Sequence, residues 1–365
     1  MKISLQKETF LKVLSQVSSV VDRKQIKPIL SHVLLQAKDT LSVHGTDLDN
    51  ELLFNIPEAD IHMPGDITVS AKKLLDVVRA MPEGAVVHLV FDQEKLLISS
   101  EKVKYSLNTL PKEEFPNFSS FEPEASFELP ISLVVKLFHQ TSFAIGQQDS
   151  RYYLNGLFFS MNRGVLKAVA SDGHRLIELV LPCPEHLKFE GIFPRKAVID
   201  IQRLLSDESG DIFFSLYKNA FSFSSNRFCF KSKLMEGHYP EYHRVFPEAD
   251  ATKSFWMDKA LLKHSLMRVS ALFSDRNRGV NFSFDKQKLK LWLITQEQDE
   301  VEEELDITYD GPPIQIGLNV QYLMDFLNNT QGEVLRGQLA SSKQGVKFET
   351  LNAEDGVYVV MPMLL

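Results

Sequence analysis

The run Ala170-Ser171-Asp172-Gly173-His174-Arg175-Leu176-Ile177-Glu178-Leu179 has a counterpart on either side of it, and this repetition limits the folds open to the chain more than any other feature. The first copy is Gly45-Thr46-Asp47-Leu48 running on to Glu51-Leu52, and the third is Thr295-Gln296-Glu297 running on to Glu304-Leu305. The hydroxyl residue therefore returns about every 124 residues. Phe115-Pro116-Asn117-Phe118 returns as Tyr239-Pro240-Glu241-Tyr242, and Pro362 stands at nearly the same interval beyond. Helix-like stretches at 73–79, 196–203 and 319–327 keep that register. The 365 residues read as three domains of about 122 residues, close to the commonest domain size. The boundaries are 1–124, 125–250 and 251–365, with acidic, proline-containing joints at 121–124 and 247–250.

Hydrophobic residues at 44% and charged residues at 24% suit a globular chain in which each third buries a core. No apolar run reaches the roughly 20 residues of a membrane span, and no apolar signal-peptide segment follows Met1, so a cytoplasmic location is expected and a membrane partner is not. Cys183 and Cys229 read as reduced packing residues. His139, His174, His186, His238 and His243 lack the spacing of a zinc site, so no metal and no cofactor is expected.

Apolar spacing predicts helices over residues 7–21, with Phe10, Leu14, Val17 and Val21 on one face, and over 71–80. It predicts further helices around Val134, Leu137, Phe138 and Thr141, around Val198, Ile201 and Leu205, around Leu262, Leu266 and Val269, and over 319–327. Strand-like runs fill the intervals: 29–36, 40–43, 86–91, 96–99 and 103–107 in the first third, 153–160, 166–170, 213–217, 221–224 and 228–231 in the second. The last third has 282–284, 289–294, 334–339, 346–350 and 357–361. The order helix, strands, helix, strands is an α+β arrangement.

The net charge of −8 belongs to the two outer thirds, the middle one being neutral. It argues against a protein that simply coats nucleic acid and leaves room for a segregated basic face. Lys12, Lys72, Lys73, Lys136, Arg195, Lys196, Arg203, Lys259 and Lys263 fall on the polar faces of the helices at matched places. Residues 295–306 hold Glu297, Asp299, Glu300, Glu302, Glu303, Glu304 and Asp306 and no base, which demands a complementary surface nearby. Lys73, Lys95, Lys102 and Lys104, beside Tyr105 and Leu107, are spaced to supply one. The tail from 357 to 365 is almost wholly apolar. Because proline cannot donate to a ladder, the residues from Pro362 onward are expected beyond the last strand, as an adaptable methionine-rich binding surface.

Seven stretches in fixed order resemble the bacterial DNA polymerase III beta subunits, the sliding clamps, over the full length. They are Lys27-Pro28-Ile29-Leu30, Gly45-Thr46-Asp47-Leu48, Thr109-Leu110-Pro111 with Phe115-Pro116-Asn117, Arg151-Tyr152-Tyr153-Leu154-Asn155-Gly156, Ser171-Asp172-Gly173-His174-Arg175-Leu176, Pro194-Arg195-Lys196, and Tyr358-Val359-Val360-Met361-Pro362-Met363. The resemblance implies three repeated clamp domains per chain, with antiparallel sheets outside and helices inside. Two copies would close head to tail into a homodimeric ring around double-stranded DNA. Sliding suits phosphate contacts, which carry no sequence information. The resemblance implies DNA contact at Lys24, Gln148, Tyr152 and Tyr153, to which the helix residues Lys73, Arg195 and Lys196 add. Lys24 stands where arginine is familiar in the family, keeping the charge without the planar fork.

The same resemblance implies that the first domain of one copy meets the third domain of the other. Ala271, Leu272 and Phe273 would add apolar contact there to the acids Glu297, Glu300 and Glu303. Short linear peptides of the polymerase III catalytic subunit, the clamp-loader complex, other polymerases and repair proteins would dock between the second and third domains. Leu154, Ser171, Gly173, His174, Arg175 and Leu176 occupy matching positions in the middle third, as do Pro240, Arg244 and Val245. Asn319, Tyr322, Val360, Met361, Pro362 and Met363 do so in the last. Leu364 and Asn277 depart from the arginine and the aromatic residue familiar at the rim.

A hydrolase would have to start from Ser171, Asp172 and His174. Neighbouring strand residues point to opposite faces, and the third copy carries Gln296 after its hydroxyl, so no catalytic residue is assigned. No Walker-type phosphate loop occurs. A repeat protein that binds only other proteins would share the fold without needing the basic faces; retention on circular DNA separates the two.

Overall fold

In a computed structural model of the chain the described residues are 1–21, 27–116, 122–247, 253–273, 278–352 and 354–364. Lys24, Asn277, Leu365 and parts of both joints lie outside them. Six α-helices occur among the described residues: α1 (Lys7–Val20), α2 (Ala71–Arg79), α3 (Ile131–Thr141), α4 (Arg195–Leu205), α5 (Lys259–Val269) and α6 (Val320–Asn329). All six follow the predicted spacing. On α1, for instance, Phe10, Val13, Leu14 and Val17 are buried.

Each helix is entered directly from a strand: Lys2–Gln6, Gly65–Ser70, Ala125–Pro130, Phe189–Pro194, Ser254–Asp258 and Ile314–Asn319. These strands of five or six residues are not among the expected runs. Side-chain oxygens of Ser70, Asp258 and Asn319 accept the N–H groups of Lys73, Leu261 and Gln321 and start three of the helices. Two expected strand starts are 3₁₀ turns instead. Pro28–Ser31 and Tyr152–Asn155 each make one buried turn, and the strands begin only at His32 and Gly156. Ile29, Leu30 and Leu154 are buried in these turns, and a short apolar run does not distinguish a buried turn from a buried strand.

The strand pairings are antiparallel, and the chain gathers into two compact units. Unit 1 comprises Met1–Val135 and Ile199–Leu234; unit 2 comprises Lys136–Val198 and Met235–Leu365. The units do not follow the thirds because sheets run across repeat boundaries. In unit 1, Phe228–Lys233 of the middle third pairs with Asn50–Ile56 of the first, inside a thirteen-stranded sheet. Helix α1 lies on Leu41–Thr46 and Asn50–Ile56. It comes so close that a Cβ on Gly45 would sit 2.6 Å from Val17 Cγ1, which accounts for the glycine ahead of Thr46.

Unit 2 holds a nine-stranded and a four-stranded sheet. In the larger one Val357–Val360 of the last third pairs with Arg175–Pro182 of the middle one, Leu176 opposite Val359. Its core includes Phe159 stacked on Phe193 at 4.1 Å and Phe326 on Tyr358 at 4.8 Å between ring centres. No helix among the described residues is long and apolar enough to cross a membrane.

Candidate functional site

The repeated hydroxyl-acid motif builds a turn. Ser171 Oγ donates to the Arg175 carbonyl (2.8 Å) and accepts the Gly173 N–H (3.1 Å), while Asp172 Oδ1 accepts the N–H groups of His174 (2.9 Å) and Arg175 (3.1 Å). Thr46 and Asp47 reproduce all four bonds, to Asn50 (2.8 Å), Leu48 (3.0 Å), Asp49 (3.0 Å) and Asn50 (2.6 Å). The third copy is bonded differently: Thr295 Oγ1 itself accepts the Asp299 N–H at 3.0 Å, the position whose N–H goes to the carboxylate in the other two. Gly173 and Leu48 occupy the same left-handed position, with φ of 86° and 78°. The hydroxyl and the carboxylate thus serve the backbone, the role Asx and Ser/Thr turns give them.

Arg175, whose side chain is 10% exposed, fastens this turn to α6. Its Nε donates to Asp172 (2.9 Å), one terminal nitrogen to Asp325 (2.5 Å) and the other to the Phe143 carbonyl (2.7 Å). The guanidinium carbon lies 4.4 Å from the centre of the Tyr322 ring and 5.6 Å from that of Phe143. Burial works against its charge, and Tyr358, Asp325 and Asp172 outweigh burial, so the pKa rises. Phe143, Asp325 and Tyr358 come from distant parts of the chain and escaped sequence reasoning. Asp325 alone had a signal, standing one helical turn after Tyr322.

Next to the turn Val169, Leu176 and Tyr242 form a buried apolar cluster, with Phe158, Tyr239 and Phe246 packed against it. Phe158 stacks on Tyr239 at 4.9 Å, and Tyr242 donates its hydroxyl proton to Glu178. Pro240 and Arg244 are exposed beside this cluster, Val245 is 37% exposed, and Leu154 is buried.

The tail is more firmly held than its composition suggests. After the strand Val357–Val360, the Met361 N–H donates to the His174 carbonyl (2.8 Å) and the Met363 N–H to the Gly317 carbonyl (2.9 Å), on either side of Pro362. Met363, expected beyond the strand, is therefore pinned by an isolated bridge; Met361, Pro362 and Met363 are half-buried and Leu364 is exposed. The bridge from Met363 to Gly317 reproduces the bridge from Met235 to Ile192. Pro362 accordingly matches Leu234, not Pro240, which corrects the register of that landmark. The structure thus brings Ser171, Gly173, His174, Arg175 and Leu176 together with Tyr322, Val360 and Met361; Asn319 sits at the start of α6 as its cap.

Three of the expected DNA contacts, Lys73, Arg195 and Lys196, share a local setting. Lys72 and Lys73 occupy the first turn of α2 and Arg195 and Lys196 that of α4, and neither turn holds an acid. A helix start is the positive end of its dipole and favours acids, so lysines there cost helix stability and suit a bound anion. Lys73 and Lys196 are exposed, and Arg195 donates to the Ile145 carbonyl at 2.7 Å, burial and Arg175 lowering its pKa. Gln148 is exposed with φ of 55°, and Tyr152 is 54% exposed, edge-on to Tyr153. Other helix bases expected on solvated faces are tied within the chain: Lys259 to the Thr330 carbonyl (2.6 Å), Lys12 to Asp207 (3.5 Å), Lys136 to Glu354 (2.5 Å) and Arg203 to Asp200 (3.5 Å).

Among the strands with an open edge, two carry charges of opposite sign. Val103–Leu110 pairs along its length with Lys95–Ser100, but on its other side only Thr109 and Leu110 are paired. Lys95, Lys102 and Lys104 are exposed there, with Tyr105 and Leu107 half-buried on the alternate positions. Glu300–Asp306 ends the four-stranded sheet, paired only with Lys288–Ile294. That neighbour supplies bases: Lys288 reaches Glu304 (2.8 Å) and Asp306 (2.9 Å), and Lys290 reaches Glu302 (2.6 Å). Glu303 turns to the other side, accepting from Ser265 Oγ (2.6 Å) and Arg268 Nε (3.1 Å). Glu297 and Glu300 are exposed, as is Ala271, while Leu272 and Phe273 are half-buried.

The chain matches the models of the DNA polymerase III beta subunit, its N-terminal domain over residues 1–119, its central domain over 128–241 and its C-terminal domain over 243–364. It is 37% identical to the beta sliding clamp of Escherichia coli (strain K12), with 100% of both chains covered. The crystal structure of the sliding clamp (DNA polymerase III subunit beta) from Pseudomonas aeruginosa bound to griselimycin is 35% identical, covers 100% of both chains and gives a TM-score of 0.95. The sliding clamp of Caulobacter crescentus, 32% identical over 100% of both chains, gives 0.93. With its three clamp domains, the chain belongs to the DNA polymerase III beta subunit family, the DNA sliding clamps.

Proposed function

We propose that two copies close head to tail into a ring around double-stranded DNA, with the helices inside and the sheets outside. The observation that carries this is the opposite charge of two open strand edges. Val103–Leu110 offers Lys104, with Lys102 in the turn before it, and Glu300–Asp306 offers Glu300, so each edge has an oppositely charged strand to pair with on a second copy. Tyr105 and Leu107 would meet Leu272 and Phe273 beneath. The domains fall at 1–124, 125–250 and 251–365.

The ring is a non-catalytic, cytoplasmic processivity subunit. Lys73, Arg195 and Lys196 at helix starts, with Lys24, Gln148, Tyr152 and Tyr153, contact phosphates without reading bases, so the ring slides. The corner formed by Arg175, Leu176, Tyr322, Val360 and Met361 takes short peptides with leucine and phenylalanine anchors. Through them it tethers the polymerase III catalytic subunit, the clamp loader, other polymerases and repair proteins. Protein loaded on nicked circular DNA by a clamp loader is expected to stay through gel filtration and to leave once the DNA is linearised; equal loss from circular and linear DNA would refute the ring.

A further inference from the structure

The turn at Thr46 gives unit 1 a second copy of the backbone of the docking corner, with Asn50 in the place of Arg175. The Lys233 N–H donates to the Asp49 carbonyl at 2.9 Å, as the Met361 N–H does to the His174 carbonyl at 2.8 Å. Lys231 stands opposite Glu51, as Val359 stands opposite Leu176. Unit 1 also holds a buried cluster of Ile29, Leu30, Leu34 and Phe115, in which Leu34 stands opposite His44, two residues before Thr46. The backbone is therefore that of a docking corner.

The side chains are not. In unit 2 the opposed pair is apolar, Leu176 4% and Val359 1% exposed. In unit 1 it is Glu51, half-buried, and Lys231, 8% exposed with its ammonium 4.3 Å from the centre of the Tyr217 ring. At the rim Asp49 and Lys233 form an ion pair at 3.1 Å where unit 2 has His174 and Met361. An apolar anchor entering here would cover the Glu51 carboxyl and the Lys231 ammonium without offering either a polar partner, which is how an interface rejects a ligand.

We propose that Glu51 and Lys231 are specificity-determining residues, whose polar heads close the unit 1 corner to apolar peptide anchors and confine docking to the corner of unit 2. This rests on the docking reading given above. Removing one member of an opposed carboxyl and ammonium pair strands the other, so the double substitution is the informative one.

The test titrates a labelled peptide carrying leucine and phenylalanine anchors against the full chain, at concentrations that read stoichiometry. The native chain is expected to bind one peptide, and the Glu51→Leu, Lys231→Val variant two. Removing residues 361–365 from that variant should return the count to one, carried by unit 1 alone. If the variant fails to fold, Glu51→Met with Lys231→Met keeps the side-chain lengths without the polar heads and should also show the second site. Two peptides on the native chain, or one on a folded double variant that dimerises normally, would overturn the proposal while leaving docking in unit 2 intact. No binding by native chain or variant would sink the docking reading itself, and this proposal with it.

Discussion

Burial pushes the carboxyl of Glu51 up to about 7, with Lys231 holding it partly back. Between its ordinary value of 4.5 and about 7 the folded chain holds a proton that the unfolded chain has released. Its contribution to stability is therefore greatest at the acid end of that window and is lost as pH rises through it. His44, on the neighbouring strand, works the other way: burial lowers it from 6.5 to about 4, so its contribution is present above 6.5 and lost as pH falls toward 4. Melting temperatures of Glu51→Gln and His44→Val, each subtracted from the native curve between pH 4 and 8, should show opposite slopes. Parallel curves would mean that neither group titrates with folding. A second residue-scale prediction separates two acids on one strand. Arg268 and Ser265 hydrogen bonds hold the Glu303 carboxyl below its usual range, so Glu303→Lys should lower the melting temperature of the monomer. Glu300, exposed on the other face, should when reversed leave the melting temperature alone and weaken the dimer, most at low salt, as read by sedimentation.

At the scale of the element, the lysines opening α2 and α4 carry opposed costs. Replacing Lys72 and Lys73 by alanine should leave the helix unharmed or steadier by about 0.3–1 kcal/mol, since bases are disfavoured at a helix start. The same variant should be held less well on DNA, with a salt dependence shallower by about one for each phosphate that is no longer neutralised. Retention identical to the native chain at several salt concentrations would assign these lysines no role in binding.

How far the sequence speaks also differs by element. The six helices were legible because their apolar faces repeat every three to four residues over nine or more positions. The strands leading into them were not among the expected runs, and the turns at Pro28–Ser31 and Tyr152–Asn155 looked like strands because they bury the same residue types. In the site, Ser171 through Leu176 stood out as a motif. The partners that hold Arg175, namely Phe143, Asp325 and Tyr358, were brought together only by chain closure. Repetition also misled: Pro362 fell at the right interval for the Tyr239-Pro240 landmark, and only the bridge to Gly317 shows that it matches Leu234.

On the scale of the whole molecule, the tail and the edges should separate cleanly. Removing residues 361–365 takes away the Met361 and Met363 bonds and leaves the strand Val357–Val360, far in sequence from either open edge. Peptide affinity should fall at least a hundredfold, about 2.7 kcal/mol, while the dimer and retention on circular DNA remain. Equal peptide affinity in the two proteins would remove the tail from the site. The strand Val357–Val360 itself is hydrogen-bonded on both sides, to Arg175–Pro182 and to Val346–Thr350, so unit 2 has no seam where one repeat stops and the next begins. Under tension this matters more than any contact energy, because bonds pulled along the strands must shear together instead of unzipping one at a time. Stretched between its ends in an optical trap, unit 2 should give way in a single rip that releases parts of two repeats at once.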